Sequence, residues 1–401
     1  MFNIVGQVVK AAAIAALAIP SLASATTSDE QLLAGVRAQV TYVDAGMQGA
    51  GGGGASQASA QDFILLDRMK DQAAAYDRAW GDLPQIQLST GSTLKLGSQG
   101  QRVSELRQRL GLSDGDRFDL DLASKVRAYR QAHGLRNGTD VDTTMINSLN
   151  KGYDHYRDVI ALNLARLKAL PAVEGSRFVF VDAAEQRLYM YRDGEVEKTM
   201  RVIVGKESDP TPMMAGKITY AVANPYWNVP VDLVRRNIAP KVLDQGLGYL
   251  DESGFEILSG WTTDATVLDP KEIDWNDVAS GERELRVRQK PGKTNGMGEI
   301  KFMFPNELGI YLHDTPARWL FEKDDRAFSA GCVRLESAWE LADWLFGERP
   351  DAERAGPEAE IFLDEPVPVY ITYLTAVPTK LGFEFRDDFY NRDTQRLAAN
   401  F

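Results

Sequence analysis

The sequence predicts a multidomain chain. A β-rich C-terminal domain of mixed sandwich or barrel-like type carries an inserted cap, and a small α-helical module precedes it. Three patterns carry this reading. From Ser176 onward apolar residues alternate with a period of two, as in "RFVFVDAAEQRLYMYRDGEVEKTMRVIVG", which is the spacing of strands with one buried face. Residues 91–150 instead space their apolar residues three and four apart and stop at glycines. Between about 225 and 298 the strand pattern fails in a long Pro- and Gly-punctuated, aromatic-rich stretch. A segment of that length inside a compact domain is expected to form structure of its own, so it reads as a cap or lid with one helix over Asp232–Gln245.

Taken in order, residues 1–25 have the plan of an export signal. Lys10 precedes the apolar run Ala11–Ile19, and Ala23-Ser24-Ala25 supplies a small-x-small cleavage site. The run is shorter than the ~20 residues a spanning helix needs, and no cysteine follows it to take a lipid anchor. An exported, periplasmic or cell-wall-associated protein is therefore expected, with no transmembrane anchor after cleavage. Residues 26–90 form a helical scaffold segment in this reading, with a helical start over 26–43. The low-complexity loop Asp44–Asp62 interrupts it, and the helix Phe63–Trp80 places Leu65, Met69, Ala73 and Tyr76 on one face. In the module at 91–150, Val103, Leu106 and Leu110 share a helical face that Gly111 ends. Val126 and Tyr129 repeat the pattern up to Gly134, and "DVDTTMINSLN" supplies a third, capped helix. A connecting helix, His155–Pro171, falls within 151–175. Strands then run through a domain at 176–390, with a hairpin at Asp193-Gly194 and a helix at Leu335–Gly347, and residues 391–401 form a C-terminal tail.

The 401 residues include 45 Lys and Arg against 57 Asp and Glu, a formal charge of −12 that becomes −13 once Lys10 is removed. Nucleic-acid binding is not expected, because phosphate contacts need clustered cations. Three scattered histidines and one cysteine make no metal site, and no cofactor is expected.

That cysteine, Cys332, has His313 nineteen residues before it. An unpaired cysteine in an exported chain is either buried and inert or a reactive thiol. His313 ends the apolar strand "GIYL", and Cys332 follows the turn "FSAG". A helix read immediately after Cys332 would lower the thiol pKa and offer free N–H groups for an oxyanion, while Gly331 lets backbone approach a substrate. Base and nucleophile of an acyl transfer are one reading of the pair. A histidine satisfied by backbone and a small buried cysteine are the other.

"IYLHDTP" followed by "RAFSAGCVRL" resembles the signature of the L,D-transpeptidase (YkuD-like) family, His-x-Thr…Ser-x-Gly-Cys-x-Arg. The resemblance extends over most of 177–390 through "FVFVDAAEQRLYMYRDG", "VIVGKESDPTPMMAG", "NPYWNVP" and "VYITYLTAV" to "FRDDFY", and its long insertion is similar to the larger subgroup with a capping subdomain. "LKLGSQGQRVSELRQRLGL", "VRAYRQAHGL" and "TDVDTTMINSLN" resemble a peptidoglycan-binding domain, with glycan binding and a purely structural role both open. The resemblance implies a peptidoglycan L,D-transpeptidase acting on stem peptides and inhibited covalently by carbapenems. Cys332 would be the nucleophile and His313 the base, with the Gly331 and Cys332 amides, and the Tyr311 hydroxyl beside them, as the oxyanion hole. Arg334 would hold the loop or a substrate carboxylate, or be an ordinary structural ion pair. Ser329 would brace the turn, and Trp227 would line the cleft under the cap or belong to the core. Many family members have a second histidine where this chain has Ala330, so His313 would act alone, oriented by a backbone carbonyl. Two alternatives stay open: a hydrolase on the same scaffold, cutting stem peptides or wall-protein linkages, and a non-catalytic wall-binding protein.

Overall fold

A computed structural model describes residues 40–42, 64–173, 175–350 and 356–399. The export signal at 1–25, the Gly-rich stretch 44–62 and most of the helical start at 26–43 lie outside the described residues. The described part of that start, Val40–Tyr42 (β1), is a strand and not a helix. It pairs in parallel with Met213–Ala215. Val-Thr-Tyr has high β propensity, and pairing at an open sheet edge outweighs a weak helical pattern.

The helical part opens with α1 (Ile64–Trp80), which buries Met69 and Tyr76. The next helices, α2 (Gln101–Arg109) and α3 (Leu120–Ala132), enclose a core of Val103, Leu106, Leu110, Leu122 and Val126. Asp119 caps α3 by accepting from the Leu122 N–H, and Asp142 caps α4 (Thr143–Ala169) by accepting from the Met145 N–H. Helix α4 is kinked at Gly152 (φ +81°), where the small helical core ends. Beyond the kink, Leu162, Ala165 and Ala169 pack into the β domain. One helix thus ties the two cores together.

The β domain is a sheet closed on itself. Its strands are β2 (Arg177–Asp182), β3 (Arg187–Arg192), β4 (Glu195–Gly205), β5 (Met213–Ala223), β9 (Ile300–Met303), β10 (Leu312–His313), β12 (Val333–Leu335) and β13 (Ala359–Thr372). They follow the order β5-β13-β2-β3-β4-β12-β10-β9, and β9 pairs back onto β5 through Tyr220↔Met303 to Ala223↔Ile300. The strand β11 (Ala327–Ser329) hangs on β4. The hairpin between β3 and β4 turns through Asp193 (φ +50°) and Gly194 (φ +83°), two consecutive positive values that match the twist of the strands. Inward-facing Val179, Val181, Leu188, Val202, Phe302, Leu312, Val333 and Ile371 fill the core, and α8 (Ala338–Phe346) adds Leu341, Ala342 and Leu345.

The cap, between β5 and β9, holds more than the one helix expected. Its strands β6 (Trp227–Val229), β7 (Phe255–Leu258) and β8 (Arg286–Gln289) form a separate sheet in the order β6-β8-β7. The expected helix is a helical run, α5, from Val231 to Gln245 with a π turn at Val234–Ile238, just before Pro240, and α6 (Gly248–Ser253) and α7 (Trp275–Ser280) follow it. A missing proline N–H loosens the local ladder in this way. Leu233, Val242, Ile257, Trp275 and Val287 give the cap a core of its own.

At the C-terminal end, β14 (Ala376–Pro378) and β15 (Phe383–Phe385) form a hairpin against the helical part, with the Gly382 and Gly134 backbones close to Ala132 and Glu384 respectively. The stretch expected as a tail forms α9 (Arg392–Ala398), and Asp393 there pairs with fully buried Arg166 of α4 at 2.7 Å. A second buried pair, Asp182 with Arg386 at 2.6 Å, links the end of β2 to the segment after β15. Asp182 also accepts N–H bonds from Ala184 and Leu374. Replacing Arg386 with Met leaves that carboxylate buried and unpaired, so it should cost about 3–5 kcal/mol, measured as a lower urea midpoint at unchanged slope.

Candidate active site

Alternation along two adjacent strands assembles the site. Strands β10 and β12 run parallel, with Leu312 opposite Val333 and His313 opposite Arg334. Leu312, Val333 and Leu335 point into the core and are fully buried. Alternation therefore turns His313 and Arg334 to the other face, while Tyr311 and Cys332, each just before its strand, are partly buried against the core. The Val333 N–H donates to the Tyr311 carbonyl at 3.2 Å, which fixes Cys332 beside Tyr311. The Tyr311 and His313 rings meet edge to face with centroids 5.9 Å apart.

The sequence reading put a helix directly after Cys332, and the structure corrects this. Strand β12 follows the cysteine, and α8 begins only at Ala338. Leu335 pairs with Val202 of β4, so closing the sheet claims residues that a helical pattern also fits. A helix N-terminus therefore does not activate the thiol.

His313 is only 2 % exposed. Its Nδ1 lies 2.5 Å from the Asp314 carbonyl oxygen. A carbonyl only accepts, so Nδ1 carries the proton and Nε2 keeps its lone pair. Burial pushes the imidazole down to about 3, helped by the Arg334 and Lys301 charges and opposed by the Asp314 and Met297 carbonyls. Burial likewise pushes the Cys332 thiol up to about 11, opposed by the Tyr311 backbone and the Arg334 charge. The Tyr311 hydroxyl is raised by burial and by its nearness to Cys332. The Cys332 Sγ lies 3.7 Å from the Gly309 carbonyl oxygen.

The turn before Cys332 is held from both sides. Ser329 Oγ donates to the Cys332 carbonyl at 2.6 Å and accepts from the Gly331 N–H at 3.2 Å. Of the two amides proposed for an oxyanion hole, Gly331 is thus engaged by Ser329. Gly331 itself sits at φ +106°, where a side chain would be strained, with Ile310 Cδ1 3.3 Å from the place of a Cβ. Thr211, which the sequence reading missed, is fully buried. Its hydroxyl accepts from the Gly205 N–H and donates to the Gly331 carbonyl, both at 2.8 Å. Nothing in a Thr-Pro pair between strands marks it for this role.

The expectation of a structural ion pair for Arg334 fails. No carboxylate pairs with it among the described residues, and its Nε is buried without a hydrogen-bond partner. Trp227 lies in the cap sheet beside Phe255, with its ring 3.1 Å from the place of a Gly296 Cβ. It borders a cavity of about 390 Å³ with Leu233, Arg236 and Tyr249. The cap reaches the loop between β4 and β5, which also carries Thr211, through Arg236, which binds Asp209 at 2.9 and 3.1 Å and Asp232 at 2.7 Å. Arg236 holds the Asp209 carboxyl well below the usual range. A larger cavity of about 910 Å³ opens on the Asp314 side and is lined by Glu299, Trp339, Lys293 and Arg318 among others. Among the described residues no group of three His, Cys, Asp or Glu side chains could hold a metal.

Residues 176–359 match the sequence model of the YkuD family, the L,D-transpeptidase catalytic domain. The matched segment takes in every strand of the closed sheet up to the first residue of β13, together with the cap. A Haemophilus influenzae protein provisionally named an L,D-transpeptidase is 35 % identical over 245 residues, 59 % of this chain. This chain spans about half the length of that relative, 48 %. Solved L,D-transpeptidases from Mycobacterium smegmatis and Mycobacterium tuberculosis, the latter with a faropenem-derived adduct, overlap at TM-scores of 0.25 and 0.23 and 13 % identity. Each covers 49 % of this chain and 58 % or 60 % of its own. Overlaps this low add nothing to the sequence match.

Two outcomes follow from this geometry. With its pKa depressed, His313 stays neutral from pH 8 down to about 3, so its ¹³Cε1 resonance should not move between pH 8 and 5 while an exposed histidine titrates near 6.5. Thr211→Val should cost about 1–3 kcal/mol by leaving the Gly205 N–H and the Gly331 carbonyl without this partner, read in chemical denaturation.

Proposed function

We propose that the protein is a peptidoglycan L,D-transpeptidase. The observation that supports this most is the parallel pairing of β10 with β12, which brings His313 beside the strand that begins right after Cys332, in a segment that matches the YkuD family. Cys332 attacks the carbonyl carbon of the bond between the third residue and the terminal D-Ala of a tetrapeptide stem. His313 Nε2 takes the thiol proton, and the Asp314 and Met297 carbonyls favour the resulting imidazolium. A C–S bond forms, the C–N bond breaks, and D-Ala leaves with the proton returned by His313. The side-chain amine of a diamino acid on a second stem then attacks the thioester, forming the cross-link and releasing the thiol. The Cys332 N–H, together with the Tyr311 hydroxyl, then receives the developing oxyanion. Ser329 and Thr211 hold the turn, and Trp227 lines the approach under the cap.

Export to the periplasm or cell wall, and a glycan contact through the unit at 91–150, complete the proposal. No helix among the described residues is long and apolar enough to cross a membrane. A hydrolase differs only in the acceptor, with water in place of the amine.

Mature protein incubated with a carbapenem should gain one covalent adduct by intact mass, lost in Cys332→Ala and slowed at least ~10²-fold in His313→Ala. With tetrapeptide stems, release of D-Ala together with a cross-linked dimer supports transfer, and D-Ala release without a dimer supports hydrolysis. No adduct and no D-Ala release would leave a wall-binding protein.

A further inference from the structure

The site contains a charge that the reaction scheme above does not use. In many cysteine acyl-transfer sites a protonated histidine is the counter-ion of the thiolate. Here His313 is 2 % exposed, and two cations, Arg334 and Lys301, oppose its protonation. A resting imidazolium is therefore unfavourable. Arg334 lies on β12 two residues beyond Cys332, which immediately precedes that strand, and its charge reaches both Cys332 and His313. Its Nε is buried without a partner, and no carboxylate among the described residues neutralises it. A buried guanidinium normally has an anionic partner.

The remaining groups around the sulfur do not provide one. On β10 stands neutral His313, and just before it Tyr311, whose hydroxyl burial keeps protonated. On β9, Lys301 is paired with Glu358 at 3.1 Å. On β4, Ile203 faces Arg334. In the loop after β4, the Asp209 carboxylate is turned to Arg236, Ser208 and Lys206. Among the described residues, Cys332 is the anion-forming group whose charge acts on Arg334, and Arg334 acts on it in turn.

We infer that Arg334 is the fixed counter-charge of the Cys332 thiolate, and that neutral His313 carries protons without supplying that charge. The inference rests on Cys332 being the nucleophile, as proposed above, and adds what makes the thiolate accessible in a buried site. When the thiol ionises, its proton leaves to His313 and on to water. The sulfur's negative charge then stays beside a guanidinium that holds its positive charge throughout.

The test is the pH dependence of Cys332 alkylation by iodoacetamide, followed by intact mass on the folded, substrate-free protein. In this reaction the S–C bond forms and iodide leaves, so the rate follows the thiolate fraction without any acyl chemistry. Arg334→Gln should move the midpoint up by about one unit or more, slowing alkylation roughly tenfold at pH 7.5. Arg334→Lys should restore most of that loss, and His313→Asn should leave the midpoint within half a unit. An unmoved midpoint in Arg334→Gln overturns the assignment, as does a rise in His313→Asn equal to that in Arg334→Gln. If Arg334→Gln does not fold, the His313 arm decides: an unmoved midpoint upholds the guanidinium, and a rise of a unit or more overturns it. A shifted Arg334→Gln midpoint in a protein inert toward stem peptides would uphold the counter-charge and sink only the transpeptidase reading.

Discussion

The parallel pairing of β10 with β12 is the constraint on which the candidate site depends. Leu312 opposite Val333 locks both strands into the core, and the two-residue period then turns His313 and Arg334 to the opposite face, with Tyr311 and Cys332 held at the strand starts. A one-residue slip would bury the histidine and the arginine in the apolar interior and expose two core residues. Sheet closure enforces the register from both sides, because β12 also pairs with β4 and β10 with β9. The site's precision is thus a by-product of core packing.

Burial then shapes the electrostatics. The cap segment around Met297 and Gly298 covers His313, and the Asp314 carboxylate leaves no room at Gly298 for a side chain. Desolvation disfavours every charged form beneath it, so histidine and cysteine both rest neutral. Arg334 is the exception, since its intrinsic basicity keeps it charged even where burial lowers its pKa. A permanent cation in a low-dielectric pocket acts strongly on any anion formed there.

The loop carrying Cys332 depends on contacts far apart in the chain. Thr211 joins the end of β4 to the Gly331 carbonyl, and the Tyr390 hydroxyl reaches the Gly205 carbonyl at 2.5 Å from near the C-terminus. Through Asp209, Arg236 ties the cap to the β4–β5 loop that carries Thr211. The cap, the closed sheet and the C-terminal segment therefore meet at one turn, which has little freedom to relax when any one of them is altered.

The amino-acid sequence by itself determined the periodic elements and the candidate site residues. Alternation marked the strands, Asp193-Gly194 the hairpin, and the paired "HDT" and "SAGC" segments the candidate base and nucleophile, because these signals are local in the chain. It misled where two local patterns competed. Residues 335–337 fit a helix as well as a strand end, and Val40–Tyr42 became a strand only through its partner. Only the tertiary structure decided that no helix dipole acts on Cys332, that Arg334 lacks a carboxylate, and that Thr211 and Asp209 belong to the site. Those facts depend on which residues desolvate or neutralise one another across 100 or more positions of chain. The composition of a segment holds no record of what will be packed against it.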